Sequence, residues 1–263
     1  MKYYYDLHCH TTASSDAPAK LESIVKMAKK RGLDGIAVTD HNKVYKGPRK
    51  IDGLDIIPGA EVDVKGGVHL LAYFIKKDIE RNKEFKEAVK EIHRQGGFAV
   101  WAHPFRKEGV FKENEDSLRY IDGLESGNAM DDKEKREQAA KISKERKLFQ
   151  TAGSDCHIEG QVGTAVAVTS GKINRENFKE ILSSSEILIR EEISDFRKRN
   201  HQWKKIMNKF TGKIKTDERY FLKMIFCRIV LRNYLRLSNL YLKKIDFNYK
   251  DEKVSEKERG FRL

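Results

Sequence analysis

Along residues 1–190, apolar runs of five to eight residues alternate with longer stretches in which apolar positions recur every three or four residues. The short runs suit buried strands and the periodic stretches suit amphipathic helices. Strands are predicted over residues 3–8, 35–39, 55–62, 68–75, 98–102, 121–125, 149–153 and 165–169. Helical spacing fills 21–31, 79–95, 133–147 and 175–182, and Gly and Pro punctuate the joins. Repeated strand-then-helix order predicts a parallel sheet, and seven or eight strands favour a closed β/α barrel of the TIM type.

Charge changes this picture once it is placed along the chain. Residues 1–195 hold 33 Lys and Arg against 33 Asp and Glu, so the whole formal charge of +13 sits in residues 196–263. That last quarter has two of the 18 glycines, one of the eight histidines and none of the four prolines. A domain over 1–195 followed by a basic extension over 196–263 is therefore expected. Phe221, Leu222, Ile225, Ile229, Leu231, Leu235 and Leu240 recur near helical spacing, with Arg228, Arg232, Arg236, Lys243 and Lys244 between them. The extension should thus be mainly helical over 218–245. Its cations, beside Trp203, Tyr220, Tyr234 and Tyr241, suit nucleic-acid phosphates and bases. An anionic membrane surface, or a helical cap on the barrel with its charged face in water, fits the same pattern.

Composition bounds the remaining classes. A hydrophobic content of 39% supports a sizeable core, and no run of eighteen apolar residues predicts a membrane span. The first residues lack the apolar stretch of a signal peptide, and Cys9, Cys156 and Cys227 form neither an even set nor a CxxC pair. A reducing, cytoplasmic setting is the expectation.

Candidate ligands collect where strands give way to loops. His8 and His10 follow the first run, Asp40 and His41 the second, Glu61 closes the third, His103 follows the fifth, and Asp155 and His157 follow the seventh. His69 lies near the start of the fourth. In a parallel barrel such C-terminal ends open on one face, where active sites are built. His8-Cys9-His10 puts two imidazoles on one side of extended backbone, and Asp155-Cys156-His157 repeats the geometry. Both cysteines then point away as buried thiols. With Asp16 the set holds six histidines and three carboxylates, too many for one tetrahedral ion, so two or three divalent ions are expected. Nitrogen and oxygen donors without sulfur suit zinc, manganese or iron(II). Two ions about 3.5–4 Å apart form the known arrangement for hydrolysing phosphate esters with an activated water, and Glu61 is the candidate bridge.

These residues lie in a recognisable order. His8-Cys9-His10-Thr11 with Ser14 and Asp16, Thr39-Asp40-His41, Pro58-Gly59-Ala60-Glu61, His69, Ala102-His103-Pro104 and Gly153-Ser154-Asp155-Cys156-His157 closely resemble the motifs of the polymerase and histidinol phosphatase (PHP) family over roughly residues 1–170. The acidic residue after Ser14 comes one position later than in many members. The resemblance implies a distorted seven-stranded β/α barrel holding up to three metal ions and hydrolysing phosphoesters. It further implies His8, His10, Glu61 and Asp155 on one ion, Glu61, His69 and His103 on a second, and Asp16, His41 and His157 on a third.

Arg106, after His103-Pro104-Phe105, is a candidate catalytic and substrate-binding residue that would grip phosphate from a loop above the metals. Lys43 and Arg49 are weaker candidates for the same work. Asp40 is a candidate catalytic group, either orienting an imidazole or serving as a ligand or base near the third ion. His93 and His201, outside the motifs, read as ordinary polar residues. A metal-dependent phosphoesterase acting on a nucleotide or oligonucleotide phosphate follows. The alternatives are a small-metabolite phosphatase of the histidinol phosphatase kind and a non-catalytic nucleic-acid-binding or assembly module with a structural metal site.

Overall fold

The structure is a computed structural model in which residues 1–190 are described. The domain boundary at 195, the helix over 218–245 and the basic extension lie outside the described residues. The elements run β1 (Tyr3–Cys9), α1 (Leu21–Lys30), β2 (Gly35–Val38), β3 (Lys50–Ile51), β4 (Leu54–Val64), β5 (Val68–Tyr73), α2 (Phe85–Arg94), β6 (Phe98–Trp101), α3 (Val110–Asn114), β7 (Gly123–Asn128), α4 (Lys133–Glu145), β8 (Phe149–Gly153), β9 (Ala165–Thr169), α5 (Phe178–Ser183) and β10 (Glu186–Ile189). Nine strands form a nearly closed barrel in the order β10-β9-β1-β2-β4-β5-β6-β7-β8, with β3 pairing beside β4. Among the described residues no helix is long and apolar enough to cross a membrane.

Strands such as β2 and β9 are buried at every position, as their continuous apolar runs require. Helices cover them with one face each: Ile24, Val25 and Ala28 of α1, and Phe85, Ala88, Val89 and Ile92 of α2, are the buried positions at helical spacing. Burying a side chain such as Ile24 or Ile92 contributes roughly 1.5–3 kcal/mol.

The barrel is not wholly parallel. β1, β2 and β4 pair in parallel, as do β6, β7 and β8, but β5 is antiparallel to both β4 and β6. Only a short 3-10 turn, Lys65–Gly67, joins β4 to β5, with Gly66 and Gly67 at φ 80° and 76°. That length serves a hairpin and is too short for a parallel crossover. Reversing β5 brings its first residues to the end of the barrel where the parallel strands finish, which is how His69 reaches the same face as His8 and His103. The helix predicted over 79–95 starts only at Phe85, because Lys83 is drawn against the end of β4, where its carbonyl accepts from Lys65 N–H.

The seam between β8 and β1 closes through the ends that carry ligands. Asp155 N–H donates to His8 O and His10 N–H to Cys156 O, both at 2.9 Å. Beneath them the buried Asp6 carboxylate accepts from Ser154 N (2.9 Å), Ser154 Oγ (2.6 Å), Gly163 N (2.7 Å) and His8 N (3.3 Å). Gly153 permits this approach, since a Cβ there would stand 2.5 Å from His8 N. Gly153→Ala should lower stability by about 1–3 kcal/mol, seen as a fall of several degrees in melting temperature. Gly160→Ala, which meets nothing within 4 Å, should leave it in place; equal melting temperatures for the two variants would contradict the close approach.

Candidate metal centre

All nine predicted ligands meet at one end of the barrel. His8 leaves β1, His10 follows it, His41 pairs with Glu61 just beyond β2, Glu61 lies in β4, His69 in β5, His103 beyond β6, and Asp155 and His157 beyond β8. Asp16 comes from the loop after β1. His8 Nε2 and His10 Nε2 are 3.1 Å apart, and each lies 3.3–3.5 Å from Glu61 Oε2 and Asp155 Oδ1. Glu61 Oε1 is 2.9 Å from His69 Nδ1 and 3.0 Å from His103 Nε2. Asp16 Oδ2 is 3.5 Å from His41 Nε2 and 3.3 Å from His157 Nε2. Three groups able to hold an ion result: His8, His10 and Asp155; Glu61, His69 and His103; and His10, His41 and His157, with Asp16 beside the last.

The imidazoles are held in one tautomer by what lies behind them. His8 Nδ1–H donates to Glu125 Oε1 (2.8 Å), and His157 Nδ1–H to Asp155 O (3.0 Å). Ser14 Oγ donates to Asp40 Oδ1 (2.8 Å) and accepts from His10 Nδ1–H (3.1 Å) and His41 N–H (3.0 Å). In its neutral form each of these three rings therefore turns an Nε2 lone pair inward. Two such lone pairs facing each other across 3.1 Å repel unless a cation or proton lies between them. His41 Nδ1 is moreover buried 3.3 Å from Glu61 Oε2 with no hydrogen bond made. Both observations fit divalent ions held by these donors.

Asp40 lies outside the three ligand groups. Its carboxylate accepts from Thr11 N (2.6 Å), Thr11 Oγ1 (2.8 Å) and Ser14 Oγ, so it shapes the loop after β1 and reaches His10 only through Ser14. Arg106 does not project from the loop as a free phosphate grip. Its side chain is 12% exposed and donates from Nε to Asp131 Oδ1 (2.9 Å), from Nη1 to Asp155 Oδ2 (2.5 Å) and from Nη2 to Asn128 Oδ1 (2.8 Å). Cys9 and Cys156 are buried free thiols outside the three ligand groups, and burial pushes the Cys9 thiol well up.

Glu125 was not among the expected residues, although it closes a predicted strand just as Glu61 does. Besides His8 it accepts from His103 N (2.9 Å) and Asn128 Nδ2 (3.0 Å). The first of these helps hold His103 at φ 32°, and Asp155 likewise sits at φ 53°, conformations that cost a non-glycine residue about 1–2 kcal/mol and persist only where neighbours impose them. Asp6, beneath the centre, carries only a weak sequence signal, a charge among the tyrosines and Leu7 of β1.

Burial opposes charge throughout the centre, and the groups overcome it together. Burial pushes the Glu61 carboxyl up, yet His8 and hydrogen bonds from His10, His103 and His69 carry it well below the ordinary carboxylate range. Asp155 is held well down in the same way, against burial, by His8 and Arg106. For His8 burial acts downward, and Glu125, Asp155 and Glu61 raise it well above the usual imidazole range. His103 is lowered, by burial and by Arg106.

Comparison with known proteins agrees with the motifs. The PHP domain model matches residues 6–210, beyond the span of the recognised motifs. The chain is 26% identical to a probable phosphatase of Caldicellulosiruptor bescii, over 60% of this chain and 81% of that protein. Among solved structures it is similar to a two-domain protein of Bacteroides vulgatus containing a predicted PHP-like metal-dependent phosphoesterase, with a TM-score of 0.56 and 19% identity, covering 72% of this chain and 65% of that one. It is also similar to a lesion-specific endonuclease of Pyrococcus furiosus, with a TM-score of 0.56 and 18% identity, covering 71% and 58%. At such identities these two structures establish the fold.

Two outcomes follow from the geometry. Glu125→Gln should weaken metal binding about 10–100-fold, read by titration of stripped protein; unchanged affinity would show that the His8 contact does not matter. The second concerns pH. Glu61 and Asp155 titrate below their unfolded values of about 4, so their contribution to stability is present above that pH and is lost as pH falls through the folded values. His8 titrates above its unfolded value of about 6.5, so its contribution is complete below that pH and is lost as pH rises through the folded value. Metal-stripped protein should thus melt highest at about pH 5–6, and loading with manganese should move the optimum upward as ions displace protons. A stripped-protein optimum above about pH 8 would contradict this.

Proposed function

The chain belongs to the PHP domain family, and from that premise we propose that it is a metal-dependent hydrolase of phosphoester bonds whose substrate is a nucleotide or oligonucleotide phosphate. The observation that carries this reading is the inward convergence of His8 and His10 on Glu61 and Asp155, with each imidazole already fixed in its metal-binding tautomer. A proton-transfer or purely structural polar cluster has no need of such an arrangement. The name of the Caldicellulosiruptor relative and the description of the Bacteroides structure support phosphoester hydrolysis, and the Pyrococcus endonuclease favours a nucleotide-containing substrate.

His8, His10, Glu61 and Asp155 would hold one ion, Glu61, His69 and His103 a second, and Asp16, His41 and His157 a third; zinc, manganese and iron(II) all suit these donors. Divalent ions bound there supply an activated water and neutralise charge on the phosphate oxygens. The chain's own part is to keep Glu61 and Asp155 ionised, and to keep His8, His10 and His157 with protons on Nδ1 and none on Nε2. Arg106 acts by fixing Asp155, and Asp40 by fixing Ser14 behind His10. The basic extension over 196–263 is proposed to contact the phosphates of longer substrates.

Stripped protein reloaded with manganese, zinc or iron(II) should hydrolyse an aryl phosphate, a nucleotide or a short single strand. The His8→Ala/His10→Ala variant should lose at least about a thousandfold in turnover. Stoichiometric metal binding with no hydrolysis of any of these would instead favour a binding module. If the extension contacts nucleic acid, KM for the single strand should rise steeply between low and moderate salt while KM for the nucleotide changes little.

A further inference from the structure

Two thiols stand back to back with the metal centre. Cys9 and Cys156 are the middle residues of His8-Cys9-His10 and Asp155-Cys156-His157, so each belongs to the face opposite its flanking ligands. Both are wholly buried, in an apolar cluster with Ile36, Val38, Val162 and Val166. They are also partners of each other. Cys9 pairs with Cys156 in an isolated parallel bridge, and the Cys156 thiol is a direct neighbour of the Cys9 thiol. The other contact of Cys9 Sγ is a weak one, to Asp6 O at 4.0 Å.

This juxtaposition meets the geometric demands of a disulfide. Neighbouring strands lie about 4.7–4.9 Å apart, and paired residues project to the same face. A disulfide spans Cα separations of about 4.4–6.8 Å, so the backbone has little distance to cover. The place of the pair in the barrel adds a second point. Each adjacent pair in the strand order is held by a ladder of at least two paired residues, whereas among the described residues β8 meets β1 through the Cys9 and Cys156 pair alone. The seam is therefore the joint with the shortest ladder, and local opening there admits a small molecule to thiols that are otherwise covered.

We propose that Cys9 and Cys156 are a site of oxidative modification, at which a hydroperoxide converts the two thiols to a disulfide that staples the end of β1 to the end of β8 behind the metal ligands. This goes beyond the phosphoesterase reading and does not depend on it. One cysteine sulfur attacks a peroxide oxygen, the O–O bond breaks, and a sulfenic acid forms while the thiol proton leaves with the departing hydroxide as water. The second thiol attacks the sulfenic sulfur, the S–S bond forms and a second water leaves. Two thiols thus lose two electrons and two protons, and one hydrogen peroxide becomes two waters. The staple closes a loop spanning most of the domain, the case in which a cross-link restricts the unfolded chain most. It also fixes the spacing of His8, His10 and Asp155 whether or not an ion holds them.

The test treats the full-length protein, manganese-loaded and metal-stripped, with hydrogen peroxide below its melting temperature, then blocks remaining thiols after unfolding and maps the peptides. A Cys9–Cys156 cross-linked peptide, lighter by two hydrogens than the two free thiols, is expected, and dithiothreitol should remove it. Oxidised protein should melt about 5–10 °C higher than reduced protein. Cys156→Ala and Cys9→Ala should each abolish that rise, and Cys227→Ser should keep both the rise and the cross-link. The peptide map of the wild type decides the pairing even where an alanine variant folds poorly. Unreacted thiols in both forms, a cross-link to Cys227, or sulfinic acid without any Cys9–Cys156 bond would overturn the proposal. A Cys9–Cys156 bond that left the melting temperature unchanged or lower would overturn the staple. Hydrolysis of phosphoesters by the reduced protein is measured apart, so failure here and failure of the phosphoesterase reading are distinguishable.

Discussion

Burying a carboxylate costs several kcal/mol unless opposite charge or hydrogen bonds surround it, and Glu61, 1% exposed on its side chain, is surrounded by imidazoles. His8, His10, His41, His69 and His103 all approach its two oxygens within 3.5 Å. Those five rings come from four different strand ends, so the electrostatic demand of one side chain ties much of the barrel mouth together. The demand runs both ways, since the same rings would pay heavily for burial without a carboxylate to face. Removing Glu61 would leave the buried His8 and His10 without that carboxylate, and removing those two rings would leave the carboxylate buried with less opposite charge beside it.

The support behind the ligands follows the same logic one layer further out. Ser14 has a single proton to give and gives it to Asp40, which leaves its lone pairs for His10 and the His41 backbone. Glu125 spends one oxygen on His8 and the other on the His103 backbone. Arg106 binds Asp155, Asp131 and Asn128 at once, so a group that looks suited to substrate becomes a brace for a ligand. In each case a polar group that is buried finds partners enough, and the partners fix the ring or carboxylate in front of it. The Asp6 carboxylate does this for the seam itself, gathering donors from β1, the end of β8 and the loop before β9.

The reversed strand β5 shows how topology serves this centre. In an all-parallel barrel the first residues of a strand lie at the far end from the ligands. Because β4 turns straight back through a glycine-rich 3-10 turn, the start of β5 arrives beside the finish of β4, and His69 stands beside Glu61.

Much of this was legible in the amino-acid order alone. Strand runs, the HxH and DxH spacings and the placing of carboxylates at strand ends are local patterns, and local backbone periodicity decides which side a residue faces. The five-residue gap between residues 62 and 68 even carried the signal for an antiparallel hairpin, since no crossover fits in it. What the chain order could not convey is which distant group stands behind each ligand. Glu125 meets His8 across 117 residues and Arg106 meets Asp155 across 49, pairings set by strand order and register and by no feature of either segment. The sequence by itself determined the chemical identity of the centre and the strands that carry it. The tertiary structure decided which side chains turn into the centre and which brace them, because that depends on how far each buried charge lies from its nearest counter-charge.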